Sequence, residues 1–139
     1  MTAIEPSGKP KPTRKLRIVV ADDDRDAVLM LSTLLQHEGH DVLEVYRGDA
    51  VLNMVRRYNP DAVLLDIGMP GLTGFEIARE LREHFRNDCP LLVAVTAWSQ
   101  SSARELGKLS GFHHYLVKPY SADQLLELLA PLSASRPQL

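Results

Sequence analysis

Three apolar runs in this chain each end in charge: Ile18-Val19-Val20-Ala21 leads into Asp22-Asp23-Asp24, Val63-Leu64-Leu65 into Asp66, and Leu116-Val117 into Lys118-Pro119. A fourth run, Leu91-Leu92-Val93-Ala94-Val95, delivers a hydroxyl in Thr96. Each reads as a buried parallel strand. In an open α/β sheet the carboxyl ends of such strands share one edge, where ligands bind at the switch in strand order. Several carboxylates, one ammonium and one hydroxyl therefore meet there, a constellation that suits Mg²⁺ and a phosphoryl group.

The elements that must position these groups follow from the pattern between the runs. From residue 16, strand and helix signals alternate with short connections and no internal repeat, which predicts parallel βαβ units. The first helix begins at Asp24 or Arg25, carries Val28, Leu31, Leu34 and Leu35 on one face and stops at Gly39. Val42–Val45 is a short second strand, and Asp49 can cap a second helix that runs to about Tyr58 and is ended by Asn59-Pro60. After the third strand, 61–66, comes a loop with three glycines, Gly68, Gly71 and Gly74, that opens backbone angles closed to other residues. A helix with Phe75, Ile77, Ala78 and Leu81 follows, then a weaker one over 99–110. The fifth strand, His114–Lys118, stops at Pro119, and Ser121 with Gln124 forms a capping box for a last helix bearing Leu125, Leu126, Leu128 and Leu129.

Composition sets the bounds. A chain of 139 residues, 45% hydrophobic and 24% charged, has room for one domain with a real core and short tails. Residues 1–15 are expected to be a flexible N-terminal arm, 16–132 the folded domain and 133–139 a fraying tail. The net charge of -2 gives no global pull towards nucleic acid, and the basic residues of the arm have no interleaved aromatics, so no direct nucleic-acid contact is expected. Cys89 is the single cysteine, which excludes an internal disulfide and a multi-cysteine zinc site. His113 and His114 lack a clear third ligand and read as strand-end polar residues. No apolar stretch reaches the ~20 residues of a membrane helix, and no signal-peptide pattern opens the chain, so a cytoplasmic location is the expectation.

Taken together, Val19-Val20-Ala21-Asp22-Asp23-Asp24, Leu64-Leu65-Asp66-Ile67-Gly68-Met69-Pro70-Gly71, Val95-Thr96-Ala97 and Tyr115-Leu116-Val117-Lys118-Pro119 closely resemble the receiver domain of two-component response regulators over roughly residues 16–131. The resemblance implies a flavodoxin-like three-layer α/β sandwich, with a five-stranded parallel sheet in order 2-1-3-4-5 and helices on both faces. It implies that Asp66 is the phosphoacceptor, a role for which a carboxylate is a competent nucleophile. Asp22 and Asp23 would hold Mg²⁺ with Asp66, Asp23 directly and Asp22 through water, and the backbone carbonyl of Gly68 would add a ligand. Asp24 is assigned to the helix start. Lys118 and Thr96 would stabilise the transferred oxygens, and Ala97 would offer its backbone N–H. Pro119 would follow a cis bond. Thr96 and Tyr115 would move together as a switch that remodels the face made by the fourth helix, fifth strand and fifth helix, although Tyr115 also fits a plain core aromatic. Gly68 and Trp98 would tune the lifetime of the phosphoryl group.

The expected protein is a single-domain receiver, not an enzyme. Its phosphodonor would be a histidine kinase or a histidine phosphotransfer protein, its target an unidentified downstream protein, and its state a monomer or a phosphorylation-dependent dimer. Met1 and the short tails favour a stand-alone protein over a piece of a hybrid sensor kinase. Two rivals share the strand-end logic. A Mg²⁺-dependent aspartyl-phosphate phosphatase would want Asp-x-Asp-x-Thr, which is absent after Asp22. A flavin module would want a phosphate loop rich in Ser, Thr and Gly where Asp22-Asp23-Asp24 stands.

Overall fold

Apolar segments pair side by side in the computed structural model, which describes residues 14–134. They are β1 (Arg17–Ala21), β2 (Asp41–Val45), β3 (Ala62–Leu65), β4 (Leu91–Thr96) and β5 (His114–Val117). Every pairing is parallel, in the order β2-β1-β3-β4-β5 expected above. Residues of β1, β3 and β4 alternate between two apolar layers. Val19, Ala21, Val63, Leu65, Leu92 and Ala94 face one, with Ile77 and Leu81; Ile18, Val20, Leu64, Val93 and Val95 face the other, with Val28 and Leu125. A strand covered on both faces must be apolar at every position, which is why these runs are continuous rather than alternating.

Five helices supply the covers: α1 (Arg25–His37), α2 (Val51–Tyr58), α3 (Gly74–Phe85), α4 (Ser101–Ser110) and α5 (Ala122–Ser133). α2 and α3 close the first layer through Val51, Val55, Ile77, Ala78 and Leu81. α1 and α5 close the second through Val28, Leu31, Leu35, Leu125 and Leu129. Asp24 caps α1, its carboxylate accepting the N–H groups of Asp26 and Ala27. Ser121 and Gln124 form the expected capping box at α5.

Two local expectations change, and one cap is added. Asp49 does not cap α2; it lies in a 3₁₀ turn, Gly48–Ala50, and its carboxylate is taken by the guanidinium of Arg47 at 2.8 Å. Of the loop glycines only Gly71 uses a left-handed backbone, φ +87°. Gly74 is needed for space instead: a Cβ there would stand 2.7 Å from Ile67 Cα and 2.9 Å from the Asp66 carbonyl oxygen. Thr73 and Glu76 form a second capping box, at α3, which fixes where that loop ends.

Most of the arm and tail lie outside the described residues, but their inner ends are engaged. Arg14 pairs with Asp61 and donates to the Leu132 carbonyl at 2.9 Å, Lys15 lies 3.7 Å from the Asp41 carboxylate, and Ser133 is buried at the end of α5.

Because the atoms facing Gly74 are backbone and cannot rotate away, Gly74→Ala is expected to cost about 1–3 kcal/mol. Urea unfolding checks it: the midpoint falls while the slope stays that of the parent.

Candidate functional site

Parallel register carries the charged groups together. Ala21 is level with Leu65 on one side and Val45 on the other, so the next residues, Asp22 and Asp66, leave adjacent strands side by side. Two backbone bonds extend that ladder past the strand ends, Asp66 N–H to the Ala21 carbonyl at 2.9 Å and Asp22 N–H to the Val45 carbonyl at 3.1 Å. The carboxylates of Asp22, Asp23 and Asp66 each place an oxygen within 4.8 Å of the others, and among the described residues no other His, Cys, Asp or Glu group does this. Asp22 is buried at 6% exposure, Asp66 is half-buried and Asp23 is open to solvent.

Asp22 is held at both oxygens. Oδ1 accepts the Asp24 N–H at 3.0 Å, and Oδ2 accepts the Lys118 ammonium at 2.8 Å. Lys118 is itself anchored, its N–H donating to the Thr96 carbonyl at 2.8 Å, and the Lys118–Pro119 bond is cis, as the resemblance implied. Burial pulls the Lys118 ammonium down, but the Asp22 bond and the Asp66 charge outweigh it and hold its pKa above the ordinary lysine value. Burial, followed by the Asp22 charge, pushes the Asp66 carboxyl up; Lys118 and the Gly68 N–H, 3.4 Å from Oδ1, oppose the rise. The donor set is all hard oxygen, crowded and short of cations, which fits Mg²⁺ and excludes a soft metal site.

The neighbouring strand ends complete the rim. Thr96 closes β4 at 1% exposure, with Oγ1 accepting the Trp98 N–H at 3.3 Å, and Ala97 lies exposed between them. Tyr115 donates its hydroxyl to the Trp98 carbonyl at 2.7 Å. The expected Thr96–Tyr115 pair is thus joined through the backbone of Trp98, a link no motif announced. The ring of Tyr115 lies on Gly107 of α4, where a Cβ would meet it at 3.0 Å, and the Arg104 guanidinium is 5.4 Å from its centroid. Burial raises the Tyr115 hydroxyl above its usual pKa, so it remains a donor at neutral pH.

Gly68 and Trp98 also come together, since a Cβ on Gly68 would stand 3.6 Å from the indole Cζ2. Phe75 also packs near the indole, centroids 6.2 Å apart and tilted by 46°. Phe75 read as helix core in the sequence; its position at the site follows only from the fold. Tyr120 was also missed, and it lines a small cleft with Ala21, Asp22, Ala27, Asp66 and Lys118. His113 and His114 stand away from this edge, at the start of β5.

Comparison with known proteins bears on the family and the fold. The model of the response regulator receiver domain matches residues 18–130. Protein PilH of Pseudomonas aeruginosa is 34% identical over 113 residues, which cover 81% of this chain and 93% of PilH. Response regulator MprA of Mycobacterium avium is 37% identical over 124 residues, 88% of this chain, and the match spans only 54% of MprA. Among solved structures, the BeF3-activated N-terminal receiver domain of Klebsiella pneumoniae RstA superposes with a TM-score of 0.78 at 28% identity, covering 86% of this chain and 99% of that one. The chemotaxis response regulator CheY4 of Vibrio cholerae gives 0.77 at 25% identity, covering 85% and 98%.

A carboxyl whose folded pKa lies above its unfolded one favours folding only while protonated, and that contribution is lost as pH rises through the folded value. Ionised Asp66 therefore costs the metal-free protein stability at neutral pH. Asp66→Asn is expected to melt a few degrees higher than the parent at pH 7.5 in a chelator, and the gap should close as pH falls towards about 4. Calorimetry across that range measures it.

Proposed function

The chain belongs to the response regulator receiver domain family, and from that membership we propose that it takes a phosphoryl group onto Asp66 and passes the signal on by protein contact or phosphorelay. The observation that carries this reading is the triad of carboxylates within 4.8 Å beside a lysine ammonium 2.8 Å from Asp22. The donor is the phosphohistidine of a histidine kinase or a histidine phosphotransfer protein. An Asp66 carboxylate oxygen attacks phosphorus; the new O–P bond forms as the N–P bond breaks, and the imidazole departs with the bonding pair and picks up a proton. Charge spreads over the transferred oxygens, where the Lys118 ammonium, the Thr96 hydroxyl and the Ala97 N–H stabilise it. Asp23, Asp66 and the Gly68 carbonyl would hold Mg²⁺ directly and Asp22 through water, and the ion would supply charge neutralisation.

The same residues give the mark a readout. A phosphoryl group brings about -1.5 to -2 charges in familiar cases and three strong acceptors, which draw the Thr96 hydroxyl towards Asp66. Thr96 and Tyr115 share Trp98, so the pull reaches Tyr115 across one residue. A switch from 1:99 to 99:1 takes about 5.5 kcal/mol, and bonds to charged groups contribute about 1.5–3 kcal/mol each, so two or three new bonds suffice. The face altered is α4, β5 and α5, where the downstream protein docks. Trp98, lying over Gly68, restricts water at the acyl phosphate and so sets its lifetime. In this reading residues 16–132 act as a single, cytoplasmic, non-enzymatic receiver; no described helix is long and apolar enough to cross a membrane.

With Mg²⁺ and acetyl phosphate, intact-protein mass spectrometry is expected to find one added phosphoryl group per chain, and none on Asp66→Ala. Equal labelling of that variant overturns the assignment, and sustained turnover of a generic phosphomonoester would favour a phosphatase. Separately, millimolar Mg²⁺ is expected to raise the melting temperature of the parent by several degrees and that of Asp23→Ala far less, as differential scanning fluorimetry reads directly.

A further inference from the structure

At the edge of the sheet opposite the carboxylates, two histidines solve the same problem. Leu16, just before β1, is fully buried; its carbonyl accepts the Asp41 N–H at 2.9 Å and its own N–H donates to Nδ1 of His40 at 3.1 Å. Leu92 of β4 is fully buried too. Its carbonyl accepts the His113 N–H at 2.8 Å, and its N–H donates to Nδ1 of His113 at 2.9 Å. Each histidine immediately precedes an outer strand, His40 before β2 and His113 before β5. Each ring adds one side-chain rung to the ladder and satisfies a buried N–H that would otherwise be orphaned.

That rung exists only while the ring is neutral. Protonation turns Nδ1 from acceptor to donor, and an N–H then faces an N–H. The surrounding charges differ at the two sites. His40, 5% exposed, faces Glu38 at the end of α1 and Asp61 before β3; the Asp61 carboxylate is already taken by the Arg17 N–H and by Arg14, and Lys15 is near Asp41 alongside. His113 faces Arg82 of α3, whose Nη1 is 2.8 Å from Nε2, and is followed by His114. A neutral imidazole has one acceptor nitrogen and a guanidinium has none, so the tautomer that accepts from Leu92 at Nδ1 sets its Nε2–H against Arg82, and the other tautomer accepts from Arg82 and leaves the Leu92 N–H without an acceptor; in either, a second proton sets a cation against the guanidinium. Burial lowers the pKa of both rings; the carboxylates partly offset this at His40, while Arg82 and His114 reinforce it at His113.

We propose that His40 and His113 are matched acid-released latches that hold the two outer strands to their inner neighbours, so that mild acid loosens β2 and β5 together. The consequence reaches the functional edge. β2 ends in Val45, whose carbonyl holds the Asp22 N–H, and β5 carries Tyr115 and runs into Lys118.

Amide hydrogen exchange on the full chain tests this, with protection at Leu16 and Leu92 corrected for the intrinsic pH dependence of exchange. If the opened rings titrate near the ordinary value of 6.5, protection in the parent is expected to drop about tenfold between pH 7.5 and 5.5. His40→Asn and His113→Asn keep an acceptor oxygen near the Nδ1 position but cannot be protonated, so each is expected to flatten the profile at its own site. An unchanged parent profile, or the same drop in the variants, overturns the proposal. Should a variant fail to fold, ring nitrogen shifts of the parent decide: unprotonated Nδ1 on both rings at pH 7.5 supports the latches, and protonated Nδ1 on either ring overturns them.

Discussion

The ion pair between Lys118 and Asp22 is the interaction on which the functional edge rests. Among the described residues, three carboxylates inside a span of 4.8 Å face one ammonium, so two of them have no cation of their own. A buried charge is tolerable only when paired and hydrogen-bonded, and Asp22, with a side chain only 9% exposed, has both a cation and a backbone N–H. Asp66 has a backbone donor, the Gly68 N–H at 3.4 Å, but no ion-pair partner among the described residues, and burial together with the Asp22 charge raises its pKa. The fold therefore settles the innermost carboxylate and leaves the outer two undercompensated, which is what a site must do if it is to admit a divalent cation.

What maintains this arrangement is register. A slip of β3 against β1 by one residue would exchange the two faces of β3 and carry Asp66 away from Asp22, and both apolar layers oppose it. The strand ends were legible in the sequence for that reason: strands buried on both faces show as unbroken apolar runs, and the first charge after each run marks the edge. Asp24 and Ser121 were legible as caps because their partners lie within three residues. Asp49 misled because Arg47, two residues away, competes for the same carboxylate. The Thr73–Glu76 box was present in the sequence but lay beneath a stronger glycine signal.

Contacts made by tertiary approach were hidden. Nothing in Gly68, Phe75 or Trp98 says that the indole will lie near both of the others; that depends on how α3 and the β4–α4 loop meet. The double use of the Trp98 backbone, by Thr96 and by Tyr115, leaves no side-chain signature at all. The same holds for His40 and His113, whose role appears only once pairing reveals which buried amide lacks an acceptor.

These links differ in how they can respond. A neutral hydrogen bond contributes roughly 0.5–1.5 kcal/mol net, so the Thr96–Trp98–Tyr115 chain is held by little more than thermal energy per link. The packed layers on either side are not: truncating one buried leucine costs about 2–5 kcal/mol. Under the proposed phosphorylation, a new charge at Asp66 would meet a rigid sheet and a soft rim, and its effect would run along the rim towards α4. Gly107 sharpens this, because the Tyr115 ring rests directly on the α4 backbone with no side chain between to absorb a displacement.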